Sequence, residues 1–285
     1  MLEQAFNGKV VEQLLSNPTI LESRDREVTT LFADLRGYSR ISEQLGPELT
    51  HQLLSEILEH LTQCTQAEDG VIIDYYGDGL AAMWNAPTAQ PEHPVLACRA
   101  AMAMQGGLNA INERWKSKVN IPLRLGIGIN TGIAQVGNSG TKARLKYGPR
   151  GQIVVVASRL ESATRRTKAK TLISEATRQR LPAGAIVRRV CRGALPGIKD
   201  PIDLYELMAL GEAQLETSIM DRITTYEKAL ELTEADKFDE AEEILARIAT
   251  GTNGALPAHF LVDHLQQSES TKGPSSVVDL TTIKT

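Results

Sequence analysis

The stretch Val28-Thr29-Thr30-Leu31-Phe32-Ala33-Asp34-Leu35-Arg36-Gly37-Tyr38-Ser39 decides how this chain is read. Its first six residues are β-branched or apolar on both faces, which predicts a buried central strand running into a Gly-containing turn and delivering Asp34 to the rim of a sheet. Residues 71–76 and 80–84, joined by Gly77-Asp78-Gly79, predict a hairpin with Asp78 at its tip. An aspartate in such a turn is, taken alone, an ordinary turn residue. Two of them, one at a strand end and one at a hairpin tip on either side of a single helix, make a candidate site for divalent cations.

Outward from these segments the pattern alternates. Leu49, Leu53, Ile57 and Leu61 recur at four-residue steps, so 47–64 is expected to be an amphipathic helix packed on the first strand. An Ala/Met-rich helix is expected over 91–115, with Gly106-Gly107 as its weak point. Residues 122–131 alternate as a strand, with 134–136 pairing back through Gly132, and 153–165 begin as an apolar run and continue as a helix. Further short strands are expected over 171–174, 186–191 and 202–210. Consecutive strand pairs mixed with segregated helices predict an α+β fold, a ferredoxin-like βαββαβ core with extra strands.

The domain organisation expected is a helical leader over 1–24, a catalytic-type domain over 25–210, a helical hairpin over 215–250 and a mostly disordered Gly/Ser/Thr/Gln-rich tail over 251–285. The hairpin, with Tyr226, Ala229, Leu230, Phe238, Ala241, Ile244 and Leu245 as its apolar seam, resembles one tetratricopeptide-like unit. A single unit cannot bury its own face, so it is expected to dock on the preceding domain or on a partner.

Four segments carry a more specific resemblance: Phe32–Ser39 with Ser42-Glu43, Tyr76-Gly77-Asp78-Gly79 with Ala82, Gly126–Gly132 with Val136-Gly137-Asn138, and Ala157-Ser158-Arg159-Leu160-Glu161. In order and spacing they resemble the catalytic domain of the class III adenylyl/guanylyl cyclases, over roughly residues 25 to 210. The resemblance implies conversion of a nucleoside triphosphate to a 3′,5′-cyclic nucleotide and pyrophosphate, at sites between two protomers, with two magnesium or manganese ions. By motif match Asp34 and Asp78 take the metal positions, with help from the Leu35 carbonyl, and Arg159 matches the arginine that steadies charge at the α-phosphate.

Departures from the family pattern bear on the substrate. The base-reading lysine position falls on Asp74, the second base reader on Gly148, the ribose-positioning asparagine on Val155, and the phosphate lysine near Pro196, with Lys199 close by. An ionised carboxylate only accepts hydrogen bonds, so Asp74 suits the N1 and N2 donors of guanine better than adenine. Asp74 also has a plain reading as a solvent-facing strand residue. Tyr38, where most members carry Phe beside the nucleotide pocket, keeps a CTP or UTP cyclase as an alternative. Val155 cannot hydrogen-bond a ribose, which raises a further alternative: a homodimer without efficient turnover that binds nucleotide or completes a heterodimer with a complementary subunit. Lys170 then lies near the position of a phosphate-binding basic residue. Arg144, Lys146 and Arg150 around Tyr147 are read as a solvated flap or a phosphate contact.

Composition sets outer bounds. The chain has 285 residues, with 31 basic against 35 acidic and a formal charge of −4, and its basic residues form no long aromatic-interleaved run, which argues against nucleic acid. No stretch of about 18 apolar residues suggests a membrane span, and the N-terminus shows no signal-peptide apolar region. Cys64, Cys98 and Cys191 are far apart, which is consistent with reduced thiols and a cytoplasmic location. The five histidines lack metal-ligand spacing.

Overall fold

A computed structural model describes residues 22–141, 144–211, 217–249, 256–269 and 277–281; the expected leader over 1–24 lies almost wholly outside them. The first six elements run β1 (Arg24–Leu35), α1 (Tyr38–Ala67), β2 (Val71–Tyr76), β3 (Gly79–Trp84), α2 (His93–Trp115) and β4 (Leu125–Thr141). This is the expected βαββαβ order. They are followed by β5 (Arg144–Arg150), α3 (Gln152–Thr167), β6 (Thr171–Ser174), the single turn α4 (Glu175–Arg178), β7 (Ile186–Ala194) and β8 (Ile202–Ala209). Among the described residues the strands form one sheet in the order β2-β3-β1-β4-β6-β8-β7-β9, with β5 paired to the far end of β4 and β9 (Val277–Asp279) added along β7.

The two faces of β1 are used differently. Leu31, Ala33 and Leu35 point into the main core, where α1 and α2 contribute Ile41, Leu53, Ile57, Leu61, Met104 and Ile111. Leu53, Ile57 and Leu61 continue the four-residue stripe seen in the sequence, and their burial removes the apolar face of α1 from water. The opposite face carries Phe32 and Asp34 and is covered by α3. There the strand partner of Asp34 is Gly126, and Gly128 two residues on lets α3 lie directly on the sheet: a Cβ at 128 would fall 2.2 Å from the Glu161 nitrogen and 2.3 Å from the Ala157 oxygen.

The span α1 is two helices joined at Gly46, whose φ 71° and ψ 172° break the first, so the expected helix does begin at Pro47 and is preceded by a short one from Tyr38. Several expectations are corrected. Residues 125–141 do not fold back through Gly132. They form one long strand that pairs with β1 as far as Val136 and then with β5. The flap around Tyr147 is accordingly a strand rather than a loop.

The tail expected to be mostly disordered contains α7 (Leu256–Glu269) and β9. Ala258, Leu261 and Leu265 of α7 fill the groove between α5 (Thr217–Glu234) and α6 (Phe238–Ala249), while Phe260 enters a core shared with Leu160, Ala163 and Leu172. These four apolar side chains outweigh the polar composition around them. The helical unit docks on β7: Tyr226 Oη donates to the Val190 carbonyl at 2.6 Å, and Arg189 bridges Asp203 and Glu234. Cys64, Cys98 and Cys191 are free and buried.

Gly128→Ala is expected to cost about 3 kcal/mol or more of stability in urea unfolding, because the strand and helix backbones must separate to admit a methyl group. An unchanged midpoint would contradict the direct seating of α3 on β4.

Candidate active site

The register explains how the two aspartates meet. β3 lies antiparallel to β1, with Ala33 opposite Leu80, so the turn before Leu80 stands beside Asp34. Gly77 takes φ 64°, which closes the turn, and Gly79 is pressed against the strand end: a Cβ there would sit 2.6 Å from the Ala33 oxygen and 2.9 Å from Asp34 Oδ1. Burial, with the negative charge of Asp34 behind it, raises the Asp78 carboxyl to about 6. Burial also raises Asp34, against the opposing hydrogen bond from Arg165. Asp34 therefore stands close enough to Asp78 to disfavour its ionised form, a charge that a bound cation would offset.

A cleft of about 480 Å³ opens beside them, walled by Phe32, Asp34, Tyr76 and Gly79 from the sheet and by Val155, Ser158, Arg159 and Glu161 from α3. Residues 154, 158, 161 and 165 lie along one stripe of α3, and the stripe ends with Arg165 Nη2 on Asp34 Oδ2 at 2.8 Å. Arg159 Nε donates to the Pro196 carbonyl at 3.0 Å, which ties it to the segment where the phosphate lysine was sought. Glu161 is buried, and its Oε1 has no hydrogen-bond partner among the described residues. Burial and the nearby Asp34 raise its carboxyl to about 7. Arg36 is lowered to about 10, chiefly by burial.

The remaining sequence candidates divide. Asp74 and Gly148 come together: Gly148 on β5 approaches β2 so closely that a Cβ would lie 3.3 Å from Ile73 Cγ2, and Asp74 Oδ2 accepts from Lys146 Nζ. Leu35 ends β1 opposite Leu125, with its side chain in the main core. Lys170 extends the β4–β6 register at the same rim, its N–H donating to Glu206 at 2.9 Å and its carbonyl accepting from Ile127 at 3.0 Å, but its side chain is exposed and does not line the cleft. Tyr38 packs against the α1/α2 core and is likewise outside the lining. Glu161 and Arg165 were not singled out from sequence. The signal for both was present, since they follow Val154 and Ser158 at helical spacing.

Residues 20–209 match the model of the adenylate and guanylate cyclase catalytic domain, and the chain belongs to that family. It is 35% identical over 188 residues to adenylate cyclase 1 of Rhizobium meliloti, covering 66% of this chain and 28% of the relative, and 28% identical to an adenylate cyclase of Anabaena cylindrica over 72% of this chain and 41% of that protein. The chain thus spans less than half the length of these relatives. Among solved structures it is similar to the adenylyl cyclase CyaB from P. aeruginosa, with 28% identity, a TM-score of 0.63, and 68% of this chain and 100% of that one covered. It is also similar to the guanylyl cyclase Cya2, with 31% identity, a TM-score of 0.60, and 67% and 96% covered. The mixed α+β sheet with its helices is the fold of these domains. Among the described residues no helix is long and apolar enough to cross a membrane.

Because the folded-state value of Asp78 lies above that of an unfolded carboxylate, folding without metal takes up a proton between about pH 4 and 6 and loses stability as pH rises through that window. Asp78→Asn is therefore expected to raise the melting temperature of the metal-free protein at pH 8 by an amount worth on the order of 1 kcal/mol after solvent screening, and to do little at pH 4. Equal effects at both pH values would contradict the raised Asp78 carboxyl.

Proposed function

We propose that this chain is a class III nucleotidyl cyclase that converts GTP, with ATP as the second reading, to a 3′,5′-cyclic nucleotide and pyrophosphate at a site completed by a second protomer. The observation that carries this is the meeting of Asp34 and Asp78 at the edge of the cleft; in the family's sites one protomer brings the metal acids and the other the arginine, so Arg159 serves the second site of the dimer. Two magnesium or manganese ions fit this donor set: two carboxylates whose charge a cation offsets, beside the strand-end carbonyl of Leu35. Among the described residues no group of three or more His, Cys, Asp or Glu gathers as a metal cluster, so the site depends on these two acids and on oxygens of the substrate. Bound there, such ions supply a lowered pKa at the ribose 3′-hydroxyl and charge neutralisation on the phosphates.

The residues of this chain do the rest. Asp34 and Asp78 hold the cations. Arg165 Nη2 donates to Asp34 Oδ2, an oxygen it would have to share with or give up to a cation held there. Arg159, held by the Pro196 carbonyl, offers its remaining N–H groups to the charge that develops at the α-phosphate. A second copy of this chain, or a complementary subunit, supports the reading because Tyr76 and Val155 on the cleft wall are 50% and 41% exposed, large apolar side chains left uncovered by their own protomer. GTP is favoured by Asp74 with the small Gly148, and ATP by the names of the relatives. Tyr38, partly buried against the α1/α2 core, carries the pyrimidine alternative together with the missing purine readers. Val155 remains the feature that favours a slow homodimer, because it lines the cleft where a ribose-positioning asparagine is sought.

Asp34→Ala and Asp78→Ala are each expected to weaken manganese-dependent triphosphate binding by 100-fold or more on the order of magnitude of a lost metal ligand, read by calorimetry; unchanged affinity in both would remove the metal assignment. Val155→Asn is expected to raise homodimer turnover by about tenfold or more, read as cyclic nucleotide formed in manganese. A robust rate that ignores this substitution would mean the ribose is positioned by another group.

A further inference from the structure

Lys146 sits on β5 with its Nζ donating to Asp74 Oδ2 and lying 5.4 Å from the centre of the Tyr76 ring. Tyr76 in turn stacks on Phe32, with centroids 5.9 Å apart and planes 29° from parallel, and both rings line the cleft. The ammonium is therefore one ring away from the cleft, on the strand that also carries Gly148.

Stability does not explain the pair. The side chains are 35% and 45% exposed, and an ion pair at such exposure contributes about 0–1 kcal/mol. Strand β5 is already held by its ladder to β4 from Gln135↔Arg150 to Thr141↔Arg144. What the pair does offer is chemistry. Asp74 Oδ1 accepts from the Tyr75 N–H at 3.0 Å and Oδ2 from Lys146, which leaves each oxygen a free lone pair, while an ammonium with one N–H engaged keeps two. A donor and an acceptor thus stand side by side and open to solvent. The Watson–Crick edge of a base is the complementary object. Guanine presents O6 beside the N1–H and N2–H donors, which makes three contacts with such a pair, whereas adenine in the same pose sets N6–H against the ammonium and N1 against the carboxylate, like facing like.

We infer that Lys146 and Asp74 together read the base, Lys146 donating to guanine O6 while Asp74 accepts from N1–H and N2–H. This rests on the cleft being a triphosphate site, as proposed above. Lys146 then supplies from β5 the ammonium that position 74 on β2 lacks. Gly148, two residues along the same face of β5, leaves the room that the base needs.

The test is calorimetric binding of the α,β-methylene analogues of GTP and ATP, and of inorganic triphosphate, to the full chain with manganese. The wild-type protein is expected to prefer the GTP analogue. Lys146→Ala is expected to weaken the GTP analogue about tenfold, the usual scale for a lost charged hydrogen bond, to change the ATP analogue by less than about threefold, and to leave inorganic triphosphate unchanged. The double substitution Asp74→Lys with Lys146→Asp keeps an ion pair but reverses the order of donor and acceptor. In the same base pose an ammonium at position 74 now meets adenine N1 and a carboxylate at position 146 meets N6–H, so the preference is expected to invert. A GTP-to-ATP ratio untouched by both variants, with triphosphate still bound, overturns the inference and leaves the proposed function standing. Failure of the wild-type protein to bind any of the three ligands overturns both.

Discussion

Two like charges held together by a turn that has no Cβ to spare set the energetics of this molecule's active end. Gly79 cannot carry a side chain without striking the Ala33 carbonyl and Asp34, so the hairpin closes onto the strand end and brings Asp78 with it. Burial first, and the Asp34 charge second, raise the Asp78 carboxyl to about 6. Arg165 offsets part of the excess charge from outside, at half-exposed geometry where such a pair is weak. A divalent cation is the stronger partner for both acids, and a triphosphate is the natural source of the oxygens that would finish its shell.

The rest of the fold keeps that edge in place. Leu31, Ala33 and Leu35 anchor β1 in the main core, so Asp34 leaves the strand from a rigid base. On the other face, Gly128 lets α3 approach to backbone contact and Gly126 makes room for the Thr164 and Glu161 side chains, which sets Val155, Arg159, Glu161 and Arg165 beside the acids. Within this group the Oε1 of Glu161 is buried and has no hydrogen-bond partner among the described residues. The helical unit at the C-terminal end is tied to β7 through Tyr226 and Arg189, far along the sheet order from the β1–β3 pair.

Much of this was legible in the sequence because short-range rules govern it. The strand ending at Asp34, the Gly-Asp-Gly hairpin and the stripe of α1 follow from side-chain period and turn chemistry, and both aspartates were placed correctly at one rim. What escaped depends on partners distant in the chain. A 17-residue β4 was read as two strands because Gly132 resembles a turn, whereas its pairing with β1 on one stretch and β5 on the next keeps it straight. The α7 helix was hidden in polar composition because only its contacts with α5, α6 and α3 reveal its apolar face. Lys146 was read as part of a solvated flap, and only the approach of β5 to β2 brings it to Asp74.

The central claim is that Asp34 and Asp78 jointly grip cations next to a bound nucleotide. Its most direct measurement is anomalous diffraction at the manganese edge from crystals of the chain grown with manganese and a non-cyclisable GTP analogue. The account requires two peaks between the Asp34 and Asp78 carboxylates and the phosphates. Density for the analogue without manganese at these carboxylates, or manganese bound elsewhere, would contradict it.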